Sequence, residues 1–409
     1  MSAKIVTSNR RAVSIALLML MALLTALDSM AIDMYLPGMP DIAEDLNVPF
    51  GRVQQTLAIF LGGLAIGQGI YGPLLDRFGR RLPLLIGILI FIGGSIMGAM
   101  APTVEWLLVA RFIQAIGASA GLVTPRAIVA DTCNLKESAH VFSLLMQAMM
   151  LGPILAPVLG GIVLDIADWR MIFWVIAFVG GISFVWAWQL VPDSLPVSER
   201  APINLGYVLK TYFTQMSNYN FMLYALASGF AMSGLFLYVS SSAYIFREHF
   251  GLSSSMFSYL FAMNSIGLVV SGMISNVFLV RGVSARRLLM IGMFIHTLFS
   301  GILFVLTQQA ELSLLYYTFF IAISISALGL VLGNITALTM SNGGKQAGAA
   351  SSVMGVLQYL LPAITGYIVS LFVQSIAILP ISIALCGLFG LGLLLLCRKE
   401  KEGILFRNL

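Results

Sequence analysis

The chain has 409 residues, of which 59% are hydrophobic and only 10% are charged, and its mean hydropathy is +0.97. A soluble protein of this length needs a larger share of charged residues to cover its surface. The composition therefore excludes soluble multi-domain proteins and predicts a chain that lies mostly in lipid. The net charge of +5 does not indicate nucleic acid binding, because the basic residues are distributed as in a membrane protein.

Twelve apolar stretches are each long enough to cross the hydrocarbon core, which takes about 20 residues of helix. They are 12–36, 51–72, 82–101, 104–126, 140–164, 169–191, 219–245, 254–279, 287–307, 312–340, 348–373 and 376–397. The stretch after the basic residues 1–11 is long enough to span the bilayer, and it contains no evident small-residue cleavage site. We therefore expect a retained first helix rather than a signal peptide. The sequence predicts an all-α polytopic membrane protein with twelve transmembrane helices.

The longest polar interval, 192–217, separates the sixth and seventh apolar stretches. It predicts a cytoplasmic linker between an N-terminal six-helix bundle at 1–191 and a C-terminal six-helix bundle at 218–409. Weak similarity between the segments that open the third and ninth spans, 80–87 and 286–292, agrees with two repeats around a central site.

Lysine and arginine positions predict the orientation, because cytoplasmic loops collect basic residues. With the N-terminus inside, the cytoplasmic segments carry Lys4, Arg10, Arg11, Arg77, Arg80, Arg81, Arg126, Lys136, Arg200, Lys210, Arg281, Arg286, Arg287, Lys345, Arg398, Lys399, Lys401 and Arg407. The outer loops keep only Arg52, Arg170 and Arg247. We therefore expect both termini to be cytoplasmic and the protein to lie in a bacterial inner membrane.

The sequence favours neither an enzyme nor a metalloprotein. The histidines (His140, His249 and His296) and the cysteines (Cys133, Cys386 and Cys397) show no metal-ligand or CxxC spacing. No nucleophile, metalloprotease or phosphate-binding motif occurs. We expect no cofactor, no metal and no catalytic residue.

Three charged residues lie inside predicted spans: Asp28 and Asp33 in the first, and Arg111 in the fourth. A charge in the bilayer costs several kcal/mol unless it faces protein or water, so these residues are candidates for function. A structural ion pair is the alternative. Asp33 and Arg111 lie at similar depth, whereas Asp28 and Asp33 point about 140° apart on a helix. Gln114 shares a helix face with Arg111.

Two further motifs stand out. A loop with glycines at its tight points and a basic cluster runs over 72–81, where Asp76 is available to cap a helix. In the fifth span, Gly152, Ala156 and Gly160 recur every four residues and form a small-residue packing face. Pro153 and Pro157 each remove a backbone donor there and bend the helix.

These motifs resemble the major facilitator superfamily, with its GxLxDRxGRR loop, its fourth-helix proton-transfer motif over 108–120 and its fifth-helix antiporter motif over 152–161. The segments 32–37, 226–230 and 347–352 resemble the bicyclomycin-resistance (Bcr/CflA) group of drug:proton antiporters. The resemblance implies a major facilitator fold and a proton-coupled efflux antiporter for chloramphenicol-, bicyclomycin- or sulphonamide-like molecules. A dedicated metabolite exporter or a proton symporter on the same fold is the alternative.

The resemblance also implies roles for individual residues. It implies proton coupling by Asp33 and Arg111; Asp28 departs from the group's pattern, so either carboxyl, or both, are candidates for the proton. The candidate gating residues are Gly72, Asp76, Arg77, Gly79, Arg80, Arg126, Asp131, Gly152, Pro153, Pro157 and Gly160. The candidate substrate-binding residues are Met30, Met34, Tyr35, Gln114, Gln147, Met150, Tyr238, Asn264, Asn334, Gln358 and Tyr359, because methionine, aromatic and amide side chains suit a permissive pocket. We expect a monomer whose partners are drug-like molecules, protons and the lipid bilayer.

Overall fold

The computed structural model describes residues 15–132, 135–191, 205–308, 312–343, 347–372 and 375–397. Its helices are α1 Ile15–Asp33, α2 Met39–Asp45, α3 Phe50–Phe78, α4 Arg81–Ala99, α5 Val104–Thr132, α6 Leu135–Ile166, α7 Arg170–Leu190, α8 Leu205–Met216, α9 Tyr219–Ala243, α10 Ser254–Val280, α11 Ala285–Leu306, α12 Leu314–Ser341, α13 Ala347–Ser370 and α14 Ile378–Leu396. A 3₁₀ turn, Leu36–Gly38, follows α1, and a π-helical turn, Tyr244–His249, follows α9.

Every predicted span corresponds to one of these helices. Eleven helices in the described ranges are long and apolar enough to cross a membrane, and α6, with 32 residues, has the length of a twelfth. The predicted all-α membrane fold is confirmed. The short helices α2 and α8 lie outside the spans, and α8 falls within the polar interval predicted as a linker.

The second span ends later than predicted. The sequence predicts a helix end near residue 72 and a tight turn at Gly72, but α3 continues through Gly72 and Pro73 to Phe78. The error arose because hydropathy falls in the last two turns, where the helix leaves the apolar region. The turn is made by Gly79, whose φ of 82° favours glycine.

The helices pack in two sets with the same pattern of neighbours. In the N-terminal set (α1 and α3–α7), α4 packs on α5 and α7, α3 on α5, and α1 on α6. In the C-terminal set (α9–α14), α11 packs on α12 and α14, α10 on α12, and α9 on α13. The two sets meet where α3 packs on α13 and α6 packs on α10.

Equivalent side chains hold equivalent helices in the two sets. Arg81, at the start of α4, donates to the Trp188 carbonyl at the end of α7, at 2.6 Å. Arg286, at the start of α11, donates to the Cys397 carbonyl just beyond α14, at 3.1 Å. Each arginine therefore supplies a donor to otherwise unpaired carbonyls at a helix C-terminus. Arg81 is thus the counterpart of Arg286, which fixes the register of the repeat.

A buried polar pair also recurs. Gln114 donates to Ser95 between α5 and α4, at 2.9 Å, and Ser300 and Ser324 lie 2.6 Å apart between α11 and α12. In the C-terminal set, Nδ1 of the buried His296 lies 2.9 Å from the Ser324 carbonyl. A carbonyl only accepts, so Nδ1 carries the proton. Such pairs tie neighbouring helices together where lipid offers no hydrogen bonds.

Adjacent glycines in α4 offer a test of this packing. A Cβ atom at Gly94 would overlap the backbone of Gln114, whereas a Cβ at Gly93 would meet no atom within 4 Å. We therefore expect Gly94→Ala to destabilise the protein by about 1–3 kcal/mol, with Gly93→Ala neutral or slightly stabilising. Thermal unfolding in detergent checks this pair, and equal midpoints for the two variants would contradict the described α4–α5 contact.

Candidate functional site

Arg111 lies in α5 with its side chain fully buried. Its Nη1 donates to the Ala31 carbonyl of α1 at 2.8 Å and to Gln114 Oε1 at 2.7 Å. The guanidinium carbon lies 4.7 Å and 4.1 Å from the ring centroids of Tyr35 and Phe60. These distances are within the range of cation–π attraction, which partly replaces the lost hydration of the charge.

Asp33, the last residue of α1, is 5% exposed. Among the described residues no ion pair joins Arg111 to Asp33; the arginine instead binds the α1 backbone two residues earlier. Two Arg111 nitrogens, Nε and Nη2, have no hydrogen-bond partner in this part of the chain. The α1 end and Arg111 therefore lie together, but the carboxylate and the guanidinium are not paired in this conformation.

Asp28 lies in a cluster that no sequence spacing could show. Its buried carboxyl interacts with Tyr359 of α13 and with the charge of Arg126 of α5. The Oδ1 atom has no hydrogen-bond partner among the described residues. The cluster joins the two sets of helices, because α1 and α5 belong to the first and α13 to the second. It combines a carboxyl oxygen, a phenol and a guanidinium that is exposed.

Several predicted substrate-binding residues form hydrogen bonds to neighbouring helices. Tyr35 hydrogen-bonds Thr56 at 2.7 Å, and the fully buried Gln114 bonds Ser95. The others are Asn334, which donates to Ser275 at 2.8 Å, Gln358, which donates to Ser228 at 2.7 Å, and Asn264, which donates to Tyr238 at 2.7 Å. A membrane-embedded amide needs a partner, and in each case a neighbouring helix supplies it. The Asn264 Oδ1 atom has no hydrogen-bond partner among the described residues.

The predicted methionines differ in position. Met34 is buried and packs against α6 through its carbonyl, which a Cβ at Gly160 would overlap. Met30 is half-buried. Gln147 and Met150 lie in α6, but their side chains are outside the described residues.

Small residues of α6 allow neighbouring helices to pack closely on two of its sides. A Cβ at Gly152 would come within 2.6 Å of Ser29 in α1, and one at Gly161 within 2.6 Å of Ser258 in α10. Because Pro157 has no backbone N–H, the carbonyl of Pro153 four residues earlier is free to accept from Ser265 of α10, at 3.2 Å. Gly152 and Gly161 thus place α6 between α1 of one set and α10 of the other.

The predicted gating loop forms an ion network at its own end of the molecule. Arg80 bonds Asp131 of α5 and Asp76 of α3, each at 2.8 Å. Burial of the Arg80 guanidinium would lower its pKa, but hydrogen bonds and charges from Asp131 and Asp76 outweigh burial and raise the pKa above its usual value. Asp76 lies in the last turn of α3 and caps no helix, which corrects the capping expectation. Arg77 is exposed.

The ion network predicts a stability difference between neighbouring arginines. Arg80→Gln removes the buried guanidinium that bonds the mostly buried Asp131, so we expect a loss of about 3 kcal/mol. Arg77→Gln changes an exposed residue and should stay within about 0.5 kcal/mol of the native protein. Thermal unfolding in detergent compares the two; a neutral Arg80→Gln would show that the network contributes no stability.

Polar contacts between the two sets concentrate at the opposite end, which the basic residues predict to be the outer end. Arg247, in the π-helical turn, pairs with both oxygens of Asp41 in α2, at 2.7 and 3.0 Å. It also donates to the Pro37 carbonyl. Deeper, the buried Gln54 donates to Ser240 and Ser241 of α9, at 3.1 and 2.9 Å. We call Arg247, Asp41, Gln54, Ser240 and Ser241 the outer latch.

Sequence reasoning missed the outer latch. The sequence marks Arg247 only as one of three basic residues in the predicted outer loops. A buried amide in a predicted span, Gln54, was the available signal, since such a group needs a partner. The sequence offered nothing to identify that partner, because it lies nearly 190 positions along the chain.

Residues 21–366 match the family model of the Major Facilitator Superfamily. The chain belongs to this superfamily. A major-facilitator-type transporter of Bacillus subtilis, named as uncharacterised, is 36% identical over 87% of this chain and 89% of its own length. The bicyclomycin resistance protein homolog of Haemophilus influenzae is 26% identical over 88% of this chain and 90% of its own. The crystal structure of a D-xylose-proton symporter shares the fold, with a TM-score of 0.74 and 14% identity over 92% of this chain and 96% of its own.

The superfamily assignment settles the class of protein. The chain is a transporter and not an enzyme, as predicted, and it is an integral protein of the inner membrane. The resemblance to the bicyclomycin-resistance group is also confirmed, since multidrug resistance protein D of Escherichia coli, 30% identical over 62% of this chain and 64% of its own, is a further relative.

Proposed function

We propose that this transporter exports small organic molecules in exchange for protons, by alternating access of a site between its two sets of helices. The proposed substrates are chloramphenicol-, bicyclomycin- or sulphonamide-like. Relatives named for bicyclomycin and multidrug resistance support the substrate class. We further propose that the moving bodies are the predicted bundles at 1–191 and 218–409, joined by the linker at 192–217.

The observation that carries the proposal is the Asp28 cluster. A buried carboxyl, one of whose oxygens has no partner in the described part of the chain, lies where α1 and α5 face α13. Relative movement of the two sets therefore changes its surroundings. Burial disfavours the charged form of a carboxyl group. A carboxyl that is dry in one conformation and hydrated in the other therefore takes up a proton in the first and releases it in the second.

The end of α1 supplies a second carboxyl, Asp33, which lies near the buried Arg111. Arg111 holds the Ala31 carbonyl beside Asp33, and two of its donors have no partner among the residues that the structure describes. We propose that a shift of α1 exchanges this backbone contact for contact with the Asp33 carboxylate, which favours release of the proton. The Gly152–Gly160 stripe allows α1 to slide on α6, because a smooth helix surface presents no side chains to the movement.

We assign the described conformation to one half of the transport cycle. Its outer latch is closed, and one Asp28 oxygen has no partner among the described residues. With the outer end sealed, substrate reaches Asp28, Arg126 and Tyr359 from the predicted inner side. A substrate donor then bonds the free Asp28 oxygen, and its binding displaces the proton. One proton moving inward supplies about 2.3 kcal/mol per 100 mV and about 1.4 kcal/mol per pH unit, which supports roughly a hundredfold substrate gradient.

Drug-dependent proton release from inverted vesicles tests the proposal. Native protein should dissipate the pH gradient when chloramphenicol or bicyclomycin is added, and Asp33→Asn should not. If Asp33→Asn behaves as native and Asp28→Asn fails, Asp28 carries the proton and Arg111 has another role. If the native protein responds to no drug in the panel, drug antiport is contradicted.

A further inference from the structure

The short helix α8 lies at the end of the molecule where α9 begins. Tyr212 packs on a small apolar cluster formed by Phe221 and Ala225 of α9 with Ala350 and Val353 of α13. Gln215 is buried beside Gly343. Since α9 and α13 both start their spans here, α8 lies at the level where hydrocarbon meets lipid headgroups.

Three sectors follow one another around α8, at about 100° per residue. Gln215 and Tyr212 face the protein. The next sector carries Phe213 and Met216, whose side chains are 66% and 47% exposed.

The last sector is polar, with the exposed Lys210 and Thr214. An apolar sector between a protein-facing sector and a polar one is the pattern of a helix lying in a membrane interface. Lys210 lies about 60° from Phe213, so its long side chain reaches outward beside the apolar sector. The exposed Tyr219 at the start of α9 fits the same level, where aromatic residues concentrate.

We propose that α8 is a membrane-interface helix, with Phe213 and Met216 inserted among lipid tails and Lys210 at the lipid phosphate groups. Two exposed apolar side chains are too few for a stable protein partner, which covers about 800 Å² on each side. Lipid needs no such area, and the basic Lys210 complements the negative surface of the cytoplasmic leaflet.

The consequence reaches the transport helices. Only Ser217 separates α8 from Asn218, which caps α9 by accepting from the Phe221 amide, at 3.3 Å. Asn218 also donates to the Asn342 carbonyl just beyond α12, at 2.7 Å. The bilayer contact of α8 therefore fixes the position of the C-terminal set along the membrane normal, whichever substrate is carried.

Nitroxide accessibility at adjacent positions tests the proposal. Phe213→Cys and Thr214→Cys are labelled in transporting protein whose native cysteines are replaced by serine, and both are reconstituted in vesicles containing phosphatidylglycerol. The label at 213 should collide with oxygen several-fold more than with a water-soluble nickel chelate, and the label at 214 should show the reverse. A label at Lys210→Cys should give an intermediate ratio.

Two results would overturn the proposal. Equal nickel access at 213 and 214 would place α8 in water. A label at 213 that is closed to both reagents would mean that protein, either another segment or a second copy, covers the apolar sector. Met216→Cys repeats the measurement if Phe213→Cys fails to fold.

Discussion

Replacing Arg111 with lysine is expected to reduce drug transport at least about tenfold in protein that still folds. Lysine keeps the charge but cannot hold both the Ala31 carbonyl and Gln114 while lying flat on Phe60. Loss of one hydrogen bond to a charged group costs about 1.5–3 kcal/mol, and lost cation–π attraction adds to that. Drug uptake into inverted vesicles measures the effect.

The control for Arg111→Lys is Arg52→Lys. Arg52 is 40% exposed in its ion pair with Glu105, so lysine there should transport normally. Gel filtration of both variants separates misfolding from loss of function. Native transport by a well-folded Arg111→Lys would show that charge alone is required and that the described guanidinium geometry has no role.

Replacing Arg247 with glutamine should shift the transporter towards an outward-open form. The substitution removes the two-point ion pair with Asp41, which is the outermost contact of the outer latch. Charge-assisted hydrogen bonds of this kind contribute about 1.5–3 kcal/mol, so the equilibrium should move roughly ten- to a hundredfold. The rate at which a membrane-impermeant maleimide labels Ser241→Cys reports the shift, because Ser241 is buried in the deeper part of the outer latch, beneath the Arg247–Asp41 pair.

A matched control removes an ion pair at the same end without separating the two sets. Arg170 bonds Asp45 at 2.8 Å within the N-terminal part of the chain, so Arg170→Gln should leave the labelling rate of Ser241→Cys unchanged. If Arg170→Gln and Arg247→Gln raise the rate equally, general loosening of the outer end accounts for it, and the latch assignment is wrong.

The spans could be predicted because each depends on one local property, a run of about 20 apolar residues. The predicted helix end near Gly72 is wrong because α3 continues beyond the point at which hydropathy falls. The sequence identifies Arg111 as a charge within a span and Gln114 as a neighbour on its helix face, but the other partners of Arg111 are a backbone carbonyl and aromatic rings. No residue-type pattern identifies a backbone acceptor.

Pairings across the two sets could not be read from the sequence. Asp28 and Tyr359 are more than 300 positions apart, and a weak internal repeat gives no register at that distance. Asn334 and Gln358 illustrate a second limit of sequence analysis. A polar residue in a span predicts that a partner exists, but the sequence does not tell whether that partner is a neighbouring helix or a substrate. The side-chain contacts in the packed structure were needed to identify the neighbouring helix that each of them bonds.

In the proposed mechanism, proton movement in one direction drives drug movement in the other. Transport by purified protein in liposomes measures this coupling without other membrane proteins. Labelled chloramphenicol is added outside with an imposed pH gradient as the sole energy source. Antiport predicts accumulation when the lumen is acidic, because protons leave as drug enters, and no accumulation by Asp33→Asn. Accumulation with the opposite gradient would show symport and contradict the account.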